Sequence, residues 1–180
     1  MTQRVMILAT DGYEQSELTG PKANLEKAGI STTVVSLEEG EIQGWDEDDW
    51  GDSVNVDATI DTVSAEDFDA LLLPGGQINP DVLRMNDKAV AMVRAFNDLG
   101  KPIAAICHAP WMLIEAGIVE GRTLTSWPSV RTDLKNAGAN VVDQEVVTDG
   151  NFITSRCPDD IPAFSKALIA SVQEMVKELA

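Results

Sequence analysis

Lys101-Pro-Ile-Ala-Ala-Ile-Cys-His-Ala-Pro-Trp-Met-Leu-Ile-Glu-Ala-Gly117 is the stretch on which the reading of the fold turns. Ile103 to Ile106 is a short apolar run opened by Pro102, and it reads as a buried strand. From Ala109 onward, Met112, Leu113 and Ala116 recur at helical spacing, Pro110 suits a first turn, and Gly117 suits a C-cap. Cys107-His108 therefore falls at a strand-to-helix turn. That is the geometry of a nucleophile elbow, which needs small flanking residues, here Ala105 and Ala109. The following helix would direct free N–H groups and its positive dipole end at the sulfur, which predicts a thiol pKa below the free value of ~8.5. The competing reading of Cys107 is a small buried hydrophobe at a strand end. Elbow placement, small flanks and an adjacent imidazole favour the nucleophile, and His108 is the only histidine in the chain.

Working outward, 180 residues with 44% hydrophobic content suit one domain, 1–180, with a sizeable core. No stretch approaches a membrane span, and Met1-Thr2-Gln3-Arg4 runs into a strand without a signal-peptide core, so a cytoplasmic location is expected. Two cysteines agree with a reducing compartment, and one histidine with two cysteines argues against a dedicated zinc site. Thirty acidic against thirteen basic residues give a formal charge of −17, which opposes binding to a nucleic-acid backbone. Most of these carboxylates read as a solvated surface.

Strands are expected at Arg4 to Thr10, Ser31 to Leu37, Ala70 to Leu73, Ile103 to Ile106 and Thr123 to Trp127, with a pair at Glu145 to Thr148 and Phe152 to Ser155. Helices are expected at Gln15 to Ala28 (with Pro21 as a possible kink), Asp87 to Leu99, Val130 to Ala137 and Ile161 to Leu179. Short helical turns fit Ala65 to Phe68 and Pro80 to Arg84, and Pro158-Asp159-Asp160 can cap the last helix. Glu41 to Trp45 and Ser53 to Ile60 read as a β-hairpin with an acidic tip over Asp46 to Gly51, and Trp45 and Trp50 as its packing residues. Strands alternating with helices predict a flavodoxin-like α/β sandwich: a mainly parallel sheet, helices on both faces, and a small hairpin. The working site of such a sheet lies at the strand carboxyl ends.

Three strand ends carry chemistry-bearing residues. Gly75-Gly76 reads either as a tight turn or as the source of a backbone N–H at Gly76, which would join that of His108 to hold an oxyanion. Glu17 reads either as a first-turn acid or, if it faces Cys107, as a carboxyl whose pKa is raised and which donates a hydrogen bond to sulfur. Asp81 reads as a first-turn acid or as an orienting partner for His108.

The motifs Tyr13-Glu-Gln-Ser-Glu-Leu-Thr-Gly-Pro21, Leu71-Leu-Leu-Pro-Gly-Gly76, Ala105-Ile-Cys-His108, Asp143-Gln-Glu-Val-Val147 and Thr154-Ser-Arg-Cys-Pro-Asp-Asp160 span nearly the whole chain. Together they resemble the PfpI family, within the superfamily of ThiJ and the parkinsonism-associated deglycase, which shares the class I glutamine amidotransferase-like fold. The resemblance implies Cys107 as nucleophile, His108 as its partner, Glu17 as the acid beside the sulfur, and Gly76 with His108 as oxyanion hole. It also implies that Asp81 completes the site from a neighbouring subunit, hence at least a homodimer. Ala109 stands where the family usually has Gly, Asp81 where some relatives have Glu, and Trp127 where an aromatic residue, often Tyr, borders the pocket. Cys157 follows Arg156 as a resolving thiol or an inert cysteine.

The implied activity is cofactor-free and metal-free chemistry on reactive carbonyls, either deglycation of glyoxal- or methylglyoxal-modified amino groups or conversion of the small aldehydes themselves. The alternatives are a cysteine peptidase, in which Cys107 forms an acyl-enzyme, and a non-enzymatic redox-sensing or chaperone-like stress protein. The acidic hairpin carries no function that these motifs assign.

Overall fold

The computed structural model describes residues 3–178, with side-chain surroundings through residue 175. The central strands are apolar wherever both faces are covered, and in the first of them only the leading Arg4 is charged and exposed. In β1 (Arg4–Leu8), Val5 and Ile7 face one layer while Met6 and Leu8 face the other. The short β2 (Tyr13–Glu14) leads directly into α1 (Gln15–Lys27), which runs uninterrupted through Pro21. Then come β3 (Ser31–Ser36), β4 (Glu41–Asp46), β5 (Asp49–Asn55), β6 (Ala58–Thr59) and β7 (Ala70–Leu73). Helices α2 (Ile78–Leu83) and α3 (Asp87–Asp98) precede β8 (Ile103–Ile106), which enters α4 (Pro110–Glu115). The chain closes with β9 (Thr123–Leu124), α5 (Arg131–Asn136), β10 (Asn140–Val141), β11 (Val147–Asp149), β12 (Phe152–Ser155) and α6 (Ile161–Glu178).

Seven strands form the main sheet in the order β11-β12-β8-β7-β1-β3-β6, parallel throughout except for the β11–β12 pair. Strand alternation divides the core in two. Leu71, Leu73, Ile103 and Ala105 pack with Val93 and Phe96 of α3 and Met112 of α4. Leu72, Ala104 and Ile106 pack on the opposite side with Leu18 and Leu25 of α1 and Phe164 and Leu168 of α6. This is the expected three-layer α/β sandwich with a mainly parallel sheet. Phe96 has no exposed surface, so Phe96→Ala should cost about 3–5 kcal/mol of unfolding free energy, read from urea denaturation. A loss below about 1 kcal/mol would mean that the helix–sheet layer repacks freely.

Several sequence expectations change. The stretch assigned to the second hairpin strand divides: β5 ends at Asn55, whereas β6 joins the edge of the main sheet beside β3. The hairpin tip shrinks to Glu47-Asp48, because Asp46 already pairs with Asp49. Regular pairing in β9 stops at Leu124, so Ser126 and Trp127 are loop residues, although Ser126 is fully buried. The expected Glu145 to Thr148 strand runs instead from Val147 to Asp149. Asp160 is taken up by Arg156, whose backbone N–H and side chain both donate to its carboxylate. Met1 and Thr2, which the sequence reading ran into the first strand, and Leu179, assigned to the last helix, lie outside the described residues. Among those residues no helix is long and apolar enough to cross a membrane.

Candidate active site

Strands β8, β7 and β1 are neighbours, so the Cys107 turn, the Pro74-Gly75-Gly76 turn and the segment leading to α1 meet at one end of the sheet. Cys107 is a non-glycine residue at φ 65°, a left-handed conformation that stores strain and persists only where the surroundings enforce it. Its N–H donates to Ser155 O at 3.0 Å, and its carbonyl accepts the Trp127 N–H at 2.9 Å. Parallel pairing of β12 with β8 thus holds one side of the elbow and the Trp127 loop the other.

His108 Nδ1 lies 3.2 Å from Cys107 Sγ, and Nε2 lies 3.3 Å from Ser129 Oγ. The ring stacks on Trp127, with centroids 5.9 Å apart and planes at 23°, and meets Trp111 edge-on at 5.1 Å. Burial lowers the His108 pKa, which favours neutral imidazole.

Glu17, in the first turn of α1, has no exposed surface. Its Oε2 accepts the Gly75 N–H at 2.9 Å. The buried Oε1 has no partner meeting hydrogen-bond geometry among the described residues, yet the carboxyl interacts with the Cys107 thiol closely enough to shift both acidities. Burial first, then the charge of Glu14, raise the Glu17 pKa to about 8. Burial and the Glu17 charge also push the Cys107 thiol up, against the pull of the Gly76 and His108 N–H groups.

These directions correct the expectation of a thiol acidified by its helix. Helix α4 has only six residues and begins with Pro110, so little dipole and few free N–H groups reach the sulfur. The acid that acts on the sulfur is a carboxyl instead, and the His108 imidazole is its other ionisable neighbour. Cys107 and Glu17 titrate together: a first negative charge is tolerated, and a second is held off by contact with the first. When Glu17 keeps its proton, the repulsion vanishes and the carboxyl can donate to a thiolate that the two backbone N–H groups already favour.

Linkage sets the sign of a pH effect. Unfolded Glu17 loses its proton near ~4.3, whereas in the folded protein it holds it to about 8. Between those values the folded state binds more protons, so this group's favourable contribution fades as pH rises. Glu17→Gln should therefore gain stability relative to wild type between those limits, by a few kcal/mol in order of magnitude. It should also change the pH profile of Cys107 alkylation by iodoacetamide. If both curves matched wild type, Glu17 would be only a buried first-turn acid.

Gly76 sits at φ +78°, and a Cβ there would lie 2.5 Å from both Glu14 N and Gly12 O. At Gly75 a Cβ would lie 2.3 Å from Glu17 Oε2 and 2.6 Å from Cys107 Cβ. The pair thus allows three strand ends to approach more closely than side chains permit. Asn79, 1% exposed, fastens this turn: Nδ2 donates to Pro74 O and Gly75 O, and Oδ1 accepts the Thr10 N–H. Sequence reasoning missed Asn79 and Ser129. Their only signals were proximity to Gly75-Gly76 and to Trp127-Pro128.

A cavity of about 320 Å³ opens over Cys107, walled by Glu14, Glu17, Trp45, Glu47, His108 and Trp127. Gly76, Gln77 and Pro158 complete the lining. Trp45 packs edge-on against Trp50 at 5.5 Å as expected, but it also borders the cavity, so it is more than a hairpin packing residue. Cys157 is half-buried outside this lining. Asp81 is exposed on α2 and does not line the cavity of its own chain. Among the described residues no three His, Cys, Asp or Glu side chains form a metal-binding group.

The family model described as DJ-1/PfpI matches residues 3–171. A deglycase of Thermococcus kodakarensis is 43% identical over 166 residues, covering 92% of this chain and 97% of that protein. General stress protein 18 of Bacillus subtilis is 43% identical over 179 residues, covering 97% of this chain and all of that one. Among solved structures, DJ-1beta of Drosophila melanogaster superposes with a TM-score of 0.85 at 32% identity, covering 99% of this chain and 98% of that chain.

Proposed function

This chain belongs to the DJ-1/PfpI family, and on that premise we propose that it is a cofactor-free deglycase in which Cys107 attacks carbonyl adducts of amino groups. The observation that carries the reading is the Cys107 elbow, with His108 Nδ1 at 3.2 Å and a buried Glu17 carboxyl against the sulfur, at the floor of a small cavity. The deglycase name of the Thermococcus relative supports it. A cavity of about 320 Å³ suits a side-chain adduct better than a length of folded polypeptide.

The chemistry balances without an oxidant or a metal. In a methylglyoxal carbinolamine, Cys107 Sγ forms a bond to the carbinol carbon as the carbon–nitrogen bond breaks. The thiol proton passes through His108 to the departing amine. The resulting hemithioacetal gives up its carbon-bound proton to the His108 imidazole and regains one at the adjacent carbon, becoming a thioester. The Gly76 and His108 N–H groups steady the oxygen that carries charge in between. Water then cleaves the thioester, so adduct plus water yields free amine, lactate and the restored thiol. Free methylglyoxal enters the same sequence at the hemithioacetal.

The test is parallel assay of the purified protein for amine and lactate release from a glycated amino acid, for casein cleavage, and for peroxide-dependent mass gain at Cys107. Amine and lactate released together support the proposal. Casein cleavage alone moves the activity to peptide bonds, and oxidation alone moves it to redox sensing.

In the proposed assembly, Asp81 belongs to the site of a neighbouring subunit and orients His108 there. Its exposure on α2, away from its own cavity, supports that role. Inactive Asp81→Asn and Cys107→Ser proteins, mixed under subunit exchange, should then regain about one working site per mixed dimer, as two-fold symmetry requires. Exchange proven by mass spectrometry with no recovery of activity would remove Asp81 from the partner's site.

A further inference from the structure

The acidic hairpin finds a use at the cavity mouth. Strand β2 pairs with β4 so that Glu14 lies opposite Trp45, and the Trp45 indole N–H donates to Glu47 O at 2.9 Å. That bond folds the Glu47-Asp48 tip toward the site, with Glu47 in a left-handed conformation at φ 57°. Glu14, Glu47, Trp45 and Trp127 therefore line the same cavity as Cys107, and no lysine or arginine among the described residues lines it with them. Below them the fully buried Glu17 lines the same cavity, its carboxyl interacting with the Cys107 thiol and its Oε1 without a partner of hydrogen-bond geometry among the described residues. Aromatic faces beside carboxylates are the chemistry that recognises an organic cation, and a planar guanidinium exploits both at once.

We propose that this cavity selects positively charged adducts, with Glu14 and Glu47 pairing with the guanidinium of a glycated arginine side chain and the Trp45 and Trp127 rings offering their faces to it. Lysine ammonium is the weaker alternative, because it lacks the flat surface that stacks on indole. Neutral adducts and the free aldehydes gain nothing from these groups. The negative wall also favours departure of a carboxylate product, since lactate meets like charge at the exit. Burial first, then the charges of Asp46 and Glu47, raise the Glu14 pKa, so a cation entering beside it would meet carboxylates that repel one another.

As a substrate preference the inference rests on the carbonyl reading of the same site, but the recognition itself can be tested without turnover. Nα-acetylargininamide and its neutral isostere Nα-acetylcitrullinamide are titrated into Cys107→Ser protein by calorimetry, at low and at high salt. The arginine compound should bind about 10-fold more tightly at low salt, and the advantage should shrink as salt screens it. Glu47→Gln and Glu14→Gln should each cut the ratio roughly threefold, with near-ultraviolet circular dichroism used to confirm the fold. Equal binding, no measurable binding of either compound, or a preference that survives in the double variant would each overturn the proposal. A second arm compares turnover of methylglyoxal adducts of Nα-acetylargininamide and Nα-acetylcysteinamide by wild type. Turnover of both adducts without any cation preference defeats this inference alone. Cation preference in binding without turnover of any carbonyl defeats the deglycase reading alone.

Discussion

Cys107→Ser is expected to abolish turnover, with a fall in kcat/KM of at least ~10³-fold, while the thermal transition stays close to that of wild type. The hydroxyl occupies nearly the same volume at the elbow, so the φ 65° turn and its two backbone hydrogen bonds, to Ser155 O and from Trp127 N–H, can remain. What disappears is the sulfur nucleophile beside an imidazole 3.2 Å away, and a thiol is intrinsically far more acidic than the hydroxyl that replaces it. A serine hydroxyl has no comparable access to its anion, because the burial and the adjoining carboxyl that already push the thiol up would act on an intrinsically much weaker acid. The measurement is steady-state kinetics on a glycated amino acid, paired with calorimetric unfolding. Activity retained within tenfold of wild type would remove covalent catalysis by this residue.

Gly76→Ala should damage both fold and function. The new methyl group meets backbone atoms, Glu14 N and Gly12 O, each at 2.5 Å, which cannot rotate aside as a flexible side chain would. A φ of +78° adds a left-handed cost of about 1–2 kcal/mol for any residue with a Cβ. Relief requires the turn after β7 to move away from β2, which also withdraws the Gly76 N–H from the sulfur. The expected result is a loss of roughly 3 kcal/mol or more in urea unfolding, with kcat down about 10²–10³-fold in whatever protein still folds. Wild-type kcat in a folded Gly76→Ala protein would show that this N–H does not hold the reacting oxygen.

The stretch around Cys107 was legible in sequence because a buried parallel strand and an amphipathic helix leave different periodicities. Ile103 to Ile106 is apolar throughout, whereas Met112, Leu113 and Ala116 mark a helical face, so the turn between them had to fall at Cys107-His108. The same patterning placed Glu17, Gly75-Gly76 and Cys107 at the ends of successive elements and gave the three-layer sandwich. The sequence overextended Ser53 to Ile60 and Thr123 to Trp127, because β-type residues also occupy loops whose backbone polar groups are satisfied elsewhere, as Thr125 N–H is by the Thr154 hydroxyl. Local patterning carries no information about which loop bonds to which strand.

Electrostatics at the sulfur were decided by tertiary structure. A helix N-terminus is visible in the sequence, and by itself it argues for an acidified thiol. That a carboxyl from α1, ninety residues earlier in the chain, acts on the sulfur depends on β1 lying two strands from β8 in the sheet. The cavity wall is of the same kind. Trp45 and Glu47 belong to a hairpin whose acidic run reads as solvated surface, and only the β2–β4 pairing carries them to the site. Sequence determined the layers and the elbow that carries Cys107, because these follow from periodicity within a dozen residues. Tertiary structure decided what the sulfur faces, because charge, burial and hydrogen bonding at one atom are set by whichever segments the sheet order brings beside it.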